Sequence, residues 1–311
     1  MSDRLILAPL HGITNRVFRE AYFKRFAGFD EAMAPFILSS RSCGAKGAHF
    51  KELLPGYSER APLVPQLLSN DAQGFLATVR SLAELGYREV NWNLGCPYPM
   101  VTGKGRGSGL LPHPHTVTAF LDAVCADSPL PLSVKLRLGL RDPDEILALM
   151  PLLEPYPLTR IIIHPRVASQ LYTGSVDLEG FAAAIRGTKH RLVYNGDITS
   201  VDTFMHLRRR FPGIDEWMIG RGALADPFLP GRLKGLPDDG RALETLEAFL
   251  DDVYEGYSDT LSGPRHVLDK LKELWGYLAP SYPEHQRLVK DIQGAKSAEA
   301  YRRAVNAFFR Q

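Results

Sequence analysis

Short apolar runs recur along the chain, separated by stretches whose apolar positions keep a helical period. Eight runs stand out: LILAPL (5–10), EAMAPFI (31–37), PLVPQLL (62–68), EVNWNLG (89–95), LSVKLRLG (132–139), RIIIHPR (160–166), RLVYNGDI (191–198) and EWMIGRGAL (216–224). Between them the pattern predicts amphipathic helices. One opens at Asn70 or Asp71 and aligns Phe75, Val79, Leu82 and Leu85 on one stripe. A second, over 116–127, aligns Val117, Phe120, Leu121 and Val124, and a third follows Ser200 as its cap. Eight strand–helix repeats before Gly235 fit a (β/α)8 TIM barrel, an α/β fold of about 250 residues. A doubly wound open sheet is the competitor, but no GxGxxG follows the first run.

The alternation stops at GLPDDG (235–240), a linker composition. Beyond it the period is helical throughout. The expected organisation is a barrel over 1–235 followed by a small C-terminal all-helical bundle over 241–311.

Composition changes this picture little. The chain has 311 residues, 45% hydrophobic and 23% charged, so a sizeable soluble core is available. A net charge of +2 neither demands nor forbids a nucleic-acid partner. The charge is segregated, however. The first C-terminal helix is acidic (Glu244, Glu247, Asp251, Asp252, Glu255). The later ones carry Arg265, Lys270, Lys272, Arg287, Lys290, Lys296, Arg302, Arg303 and Arg310. That basic face reads equally well as a solvated helix surface or as a phosphate-contacting one.

Three widely spaced cysteines, with no CxxC, argue against a disulfide framework and for a reducing cytoplasm. No HExxH is present, and HPH at 113–115 reads as loop surface, so no metal is expected. No stretch approaches a membrane span, and Pro9 interrupts an N-terminal apolar run too short for a signal peptide.

Active sites of barrels lie at the C-terminal ends of the strands. Polar residues there have the weakest packing explanation. The first run ends in Ala8-Pro9-Leu10-His11-Gly12, the third in Gln66-Leu67-Leu68, the fourth in Asn93 and Cys96. The fifth carries Lys135 and Arg137 on one face, and the sixth ends in His164 and Arg166. The seventh ends in Asn195-Gly196-Asp197 and the eighth in Gly220-Arg221-Gly222, where glycines allow the close backbone approach of a phosphate. GKGRGSG (103–109) adds a flexible basic loop with Lys104 and Arg106.

Each residue alone has a plain reading. Cys96 could be a small buried hydrophobe, His164 a satisfied core histidine, Lys135 the partner of a buried acid, and the glycine segments simple turns. Their coincidence at strand ends is harder to assign to packing. Cations at Lys135 and His164, amides at Gln66 and Asn93, and a phosphate cradle suit a phosphorylated planar cofactor such as FMN. A thiol whose ordinary pKa is about 8.5 stays protonated near neutrality and can donate a proton.

With these blocks the chain resembles the tRNA-dihydrouridine synthases over nearly its full length. The resemblance rests on LAPLHGITNRVFR, PQLL, NWNLGCP, GKGRGSGLL, VKLRLG, HPRVASQLYTG, YNGDI, IGRGAL and LDKLKELWGYL together. Length and the last block look most like the bacterial C-type branch. The resemblance implies an FMN-bound barrel that reduces the C5–C6 bond of a uracil in tRNA, with NADPH as electron source. It implies hydride transfer from the reduced flavin to C6 and a proton from Cys96 to C5.

By the same resemblance Ala8, Pro9, Gln66, Asn93, Lys135, His164, Asn195, Gly196, Asp197, Gly220 and Arg221 meet the cofactor. Lys104, Arg106, Arg137 and Arg166 are the expected substrate contacts, and a cytoplasmic monomer is expected. The chain departs from the family pattern at Leu10, Asn15, Met100 and His164-Pro165-Arg166-Val167. Two other classes stay open. One is a flavin reductase of a small-molecule pyrimidine or enone; the other is an RNA-binding homologue without redox function.

Overall fold

A computed structural model describes residues 3–41, 48–53, 61–238 and 240–310. Cys43 and Asp239 lie outside the described residues.

Ten short parallel strands occupy the eight predicted runs: β1 (Arg4–Leu7), β2 (Glu31–Met33), β3 (Ile37–Leu38), β4 (Leu63–Val64), β5 (Gln66–Leu68), β6 (Val90–Leu94), β7 (Leu132–Gly139), β8 (Leu158–Val167), β9 (Leu192–Tyr194) and β10 (Glu216–Ile219). The surplus arises because the second and third runs each break once. Pro65, which has no N–H to give, separates β4 from β5, and Pro35 sits in the gap between β2 and β3. The barrel still closes. β1 pairs with β10 on one side and β2 on the other, β2 pairs with β4, β3 with β5, and β5 with β6. The backbone bridges both gaps, with Ala34 N–H donating to Val64 O and Asn91 N–H to Pro65 O, each at 2.9 Å.

The helices of the barrel region are α1 (Arg16–Arg25), α2 (Ala72–Glu84), α3 (Pro99–Thr102), α4 (Pro114–Asp127), α5 (Glu145–Leu153), α6 (Leu178–Arg186), α7 (Val201–Arg210), α8 (Arg221–Ala225) and α9 (Leu229–Leu233). Local chemistry sets their starts. Asn15 accepts from Phe18 N–H, Asp177 from Gly180 N–H and Ser200 from Thr203 N–H, each satisfying a donor the helix leaves unpaired. The predicted stripes Phe75–Val79–Leu82 and Val117–Leu121–Val124 are buried against the strands.

Strand alternation separates two cores. Leu5 and Leu7 join the large layer between strands and helices. Ile6 and Ala8 point inward, with Met33, Val64, Ile162, Val193 and Met218 filling the barrel. Its N-terminal end is closed by charge. Arg160 donates to Glu31 Oε1 at 2.6 Å and lies 3.6 Å from Glu216, while Arg4 reaches Glu31 Oε2 at 2.7 Å. Both carboxylates sit in the first position of a strand, so this plug lies opposite the end where β6 delivers Cys96.

The remaining helices are α10 (Ala242–Thr260), α11 (Pro264–Leu278), α12 (Gln286–Gly294) and α13 (Ala298–Phe309). They pack on the barrel through α1 and α8. A Cβ on Gly256 of α10 would stand 2.7 Å from Val17 Cγ1, so glycine lets these helices approach closely. Asp252 pairs with Lys24 and Arg25, Tyr257 bonds to Asn15, and Ser281 Oγ donates to Ala225 O. Lys270, counted above with the basic face, instead donates to Gly12 O at 2.8 Å and pairs with Glu273. Among the described residues, no helix is long and apolar enough to cross a membrane and no cluster of metal-ligating side chains exists.

Candidate active site

The C-terminal ends of the strands open into a cavity of about 720 Å³, within the range of small-molecule sites. Its wall includes Ala8, Pro9, Gln66, Asn93, Cys96, Lys135, Arg137, His164, Arg166, Asn195, Gly196, Asp197, Gly220 and Arg221. Fourteen separate sequence signals thus face one space. Lys104 and Arg106 do not line it. Both sit beside Asn70, which donates to Lys104 O and accepts from Arg106 Nε.

Asn93 builds the loop that presents Cys96. Its Oδ1 accepts the N–H groups of Gly95 at 3.0 Å and Cys96 at 2.9 Å, an Asx turn closing the strand end. Its Nδ2 donates to Gln66 Oε1 at 2.7 Å, and Gln66 Nε2 donates to Asn91 Oδ1 at 2.8 Å. Asn91 then donates to Ser133 Oγ, completing a relay of amides across three strands. Cys96 O is held in turn by the N–H and hydroxyl of Ser108. A Cβ on Gly107 would fall 2.8 Å from Cys96 O, so the glycine-rich loop packs directly on the cysteine. Burial pushes the Cys96 thiol above its ordinary pKa, which Arg137 and Lys135 only partly offset. The sulfur is therefore protonated at neutral pH.

Lys135 lies in register with Asn93 on the neighbouring strand and makes no hydrogen bond or ion pair among the described residues. Burial, and then Arg137, lower its pKa to about 7. An unpaired buried lysine is costly unless an anion or acceptor joins it. Arg137 is anchored instead, to Gly95 O and Val167 O, both at 3.1 Å.

The sequence suggests a cation at His164; in the fold it is neutral. Burial drives its pKa well below the usual value, and Arg137, Lys135, Arg166 and Arg221 add repulsion. Its Nε2 lies 3.2 Å from Arg166 Nη1, which can only donate. The ring proton therefore belongs on Nδ1.

Asp197 organises the opposite wall, accepting from Arg166 at 3.0 Å and from Arg221 at 2.6 Å. It holds φ +35°, a left-handed conformation that aspartate tolerates better than most residues. Near it the N–H groups of Gly196, Asp197, Arg221 and Gly222 find no acceptor among the described residues. A Cβ on Gly222 would fall 1.9 Å from Ile198 O. These bare donors, held together by glycines and flanked by two guanidiniums, form an anion cradle.

Three tyrosines, which sequence patterning did not single out, complete the mouth. Tyr172 stacks on His164 with ring centroids 6.1 Å apart and lies under the Arg221 guanidinium at 4.8 Å. Tyr98 follows Cys96-Pro97, and Tyr277 comes from α11. On the far side His11 stacks on Phe36 at 4.9 Å.

Comparison with known proteins adds the chain's relatives. The chain is 24% identical to a tRNA-dihydrouridine(16) synthase of Neisseria meningitidis, covering 98% of this chain and 94% of that one. It is 27% identical to a probable tRNA-dihydrouridine synthase 2 of Bacillus subtilis, with 98% and 94% covered. A probable tRNA-dihydrouridine synthase of Staphylococcus epidermidis shares 31% identity, with 72% and 69% covered. Among solved structures, morphinone reductase in complex with tetrahydroNAD superposes with a TM-score of 0.54 at 13% identity, covering 76% of this chain and 89% of that one. That likeness concerns the barrel fold. Residues 6–309 match the family profile described as Dihydrouridine synthase (Dus), and the chain belongs to that family.

Proposed function

We propose that this protein reduces uridine to 5,6-dihydrouridine in tRNA, using FMN in the cavity and NADPH as electron donor. The observation that carries the reading is a protonated, backbone-held Cys96 sharing one cavity with an unpaired Lys135. The wall suits the cofactor. Lys135 lacks a partner and matches an electron-rich ring edge, while the bare N–H groups around Gly196 and Gly222 match a terminal phosphate. Lys135, His164, Ala8 and Pro9 would hold the ring, and Asn195, Gly196, Asp197, Gly220 and Arg221 the phosphate arm.

A flavin bound there supplies hydride chemistry toward C6 of a uracil. The chain's own task is the proton. Cys96 stays a thiol because burial opposes its ionisation, and Asn93 fixes its backbone so that the sulfur can serve C5. Uracil stacked within tRNA must be extruded to reach this depth. The relatives named for position 16 support uridine 16 as the target, since the Neisseria protein aligns over 98% of this chain. The reading treats 1–235 as the catalytic unit and 241–311 as the tRNA-contacting unit of a cytoplasmic monomer.

Cys96→Ala tests it. The variant should retain yellow colour and tRNA binding while turnover drops ~10²–10⁴-fold, the usual worth of positioned proton transfer. Near-normal dihydrouridine formation by that variant removes Cys96 as the acid. Reduction of free uracil at rates matching tRNA would favour a small-molecule reductase instead.

A further inference from the structure

Two described side chains of the helical unit, Tyr277 and Pro280, line the cavity, and Tyr277 is the larger. It lines the same space as Cys96, Tyr98 and Tyr172, and its neighbours there are Gly276 and Pro280. A Cβ on Gly276 would meet nothing within 4 Å, so the mouth is open on one side of the ring. Burial, and then Glu273 on the same helix, raise the pKa of its phenol.

The ring is carried on a fixed element. α11 buries Leu271, Leu274, Trp275 and Leu278. Trp275 Nε1 donates to Tyr301 OH at 3.0 Å, and Lys270 ties the helix to Gly12 O. The Tyr277 hydroxyl makes no hydrogen bond among the described residues. Tyr98, which lines the same mouth, stands 47% exposed, an aromatic ring where solvent-facing loops normally place polar groups.

Extruded bases are held by stacking between aromatic or apolar side chains. We propose that Tyr277 is the roof of the base pocket. Its ring holds the extruded uracil with the aid of Tyr98, so that docking of the helical unit on RNA and presentation of the base to Cys96 act through one residue. This rests on the RNA-reductase reading given above. Tyr277 is a positioning residue in this account, with no part in proton or hydride transfer.

The test separates the two substrates. Wild-type enzyme, Tyr277→Ala and Tyr277→Phe, each loaded with flavin, are followed in single turnovers. One experiment measures reduction by NADPH without RNA, the other anaerobic oxidation of the reduced enzyme by unmodified tRNA. Tyr277→Ala should slow the RNA step by about 10–100-fold relative to the NADPH step, the scale of one lost base–aromatic stack. Tyr277→Phe should restore it. A second readout needs no turnover. A tRNA with 2-aminopurine next to the target uridine should brighten on binding wild-type enzyme, and fail to do so on binding Tyr277→Ala at saturation.

Three results overturn the proposal: an RNA step unaffected in Tyr277→Ala, equal slowing of both steps, or a Tyr277→Phe variant as slow as Tyr277→Ala. Failure of wild-type enzyme to oxidise with tRNA would instead overturn the functional reading.

Discussion

Asn93 Oδ1 accepts the backbone N–H of Cys96 at 2.9 Å, and this bond holds the loop that carries the cysteine. Its second side-chain arm reaches Gln66, so the two amides form one rigid unit under the cysteine. Asn93→Ala should therefore lower the chemical step more than cofactor content. Unsatisfied buried partners should also cost about 1–3 kcal/mol in urea denaturation. A variant with unchanged stability and turnover would mean the turn forms without its side chain.

The Lys135 ammonium should make the flavin-free protein more stable as pH rises. Its pKa falls from an ordinary 10.5 to about 7 in the fold, so between those values the unfolded chain binds more protons than the folded one. Stability therefore climbs from pH 7 toward pH 10.5 and is penalised below. Thermal melts of flavin-free wild type and Lys135→Met across this window should differ in slope, the variant being flatter. An equal slope in both would show that Lys135 finds a counter-charge.

Gly222→Ala should both destabilise the barrel and empty it of flavin. The added methyl meets Ile198 O at 1.9 Å, a backbone atom that cannot swing aside. Overpacking of this kind costs about 1–3 kcal/mol and here also distorts the anion cradle. Gly276→Ala, with open space around it, is the matched control and should melt like wild type. Flavin absorbance after gel filtration reads the cradle directly.

Arg160→Met should lose about 3–5 kcal/mol, because Glu31 and Glu216 would remain buried with only the more exposed Arg4 and Arg191 as cationic partners. The site lies across the barrel from Cys96, so residual folded enzyme should keep its turnover per flavin. Burial already raises the Glu31 pKa despite Arg160, so the variant should regain part of its stability in mild acid.

Arg287 and Lys290 are exposed and make no ion pair among the described residues. If they face phosphates, tRNA affinity should fall steeply with salt, with log Kd rising by roughly 0.7–0.9 per log unit of salt for each contact. The double change Arg287→Ala, Lys290→Ala should weaken binding and flatten that slope. A slope unchanged by the substitution would move the RNA surface elsewhere.

The barrel was legible because every strand falls on an apolar run, and polar residues at strand ends contradict packing locally. Cys96, Lys135, Asp197 and Gly220 each announce themselves within a few residues. The breaks at Pro35 and Pro65 were visible as prolines, but only pairing partners decide whether such a residue ends a sheet or merely interrupts it. The neutrality of His164 was hidden for another reason. It depends on Arg137 and Lys135 from β7 and Arg166 and Arg221 from elsewhere, a crowding that no single segment contains. Tyr98, Tyr172 and Tyr277 were missed because an isolated loop or helix tyrosine has no periodic signature. The basic face was overcounted: Lys270 is engaged with Gly12 O, and Arg302 lies over the Tyr254 ring at 4.6 Å.

That lysine has a consequence for anyone wishing to retarget the protein. Lys270 grips the turn directly after Pro9, Asn15 grips Tyr257, and Gly256 is pressed into Val17. The last four helices are thus no detachable handle. A chimera grafting a foreign bundle onto this barrel would have to import α1 and the preceding turn as well, or leave its own catalytic mouth unroofed.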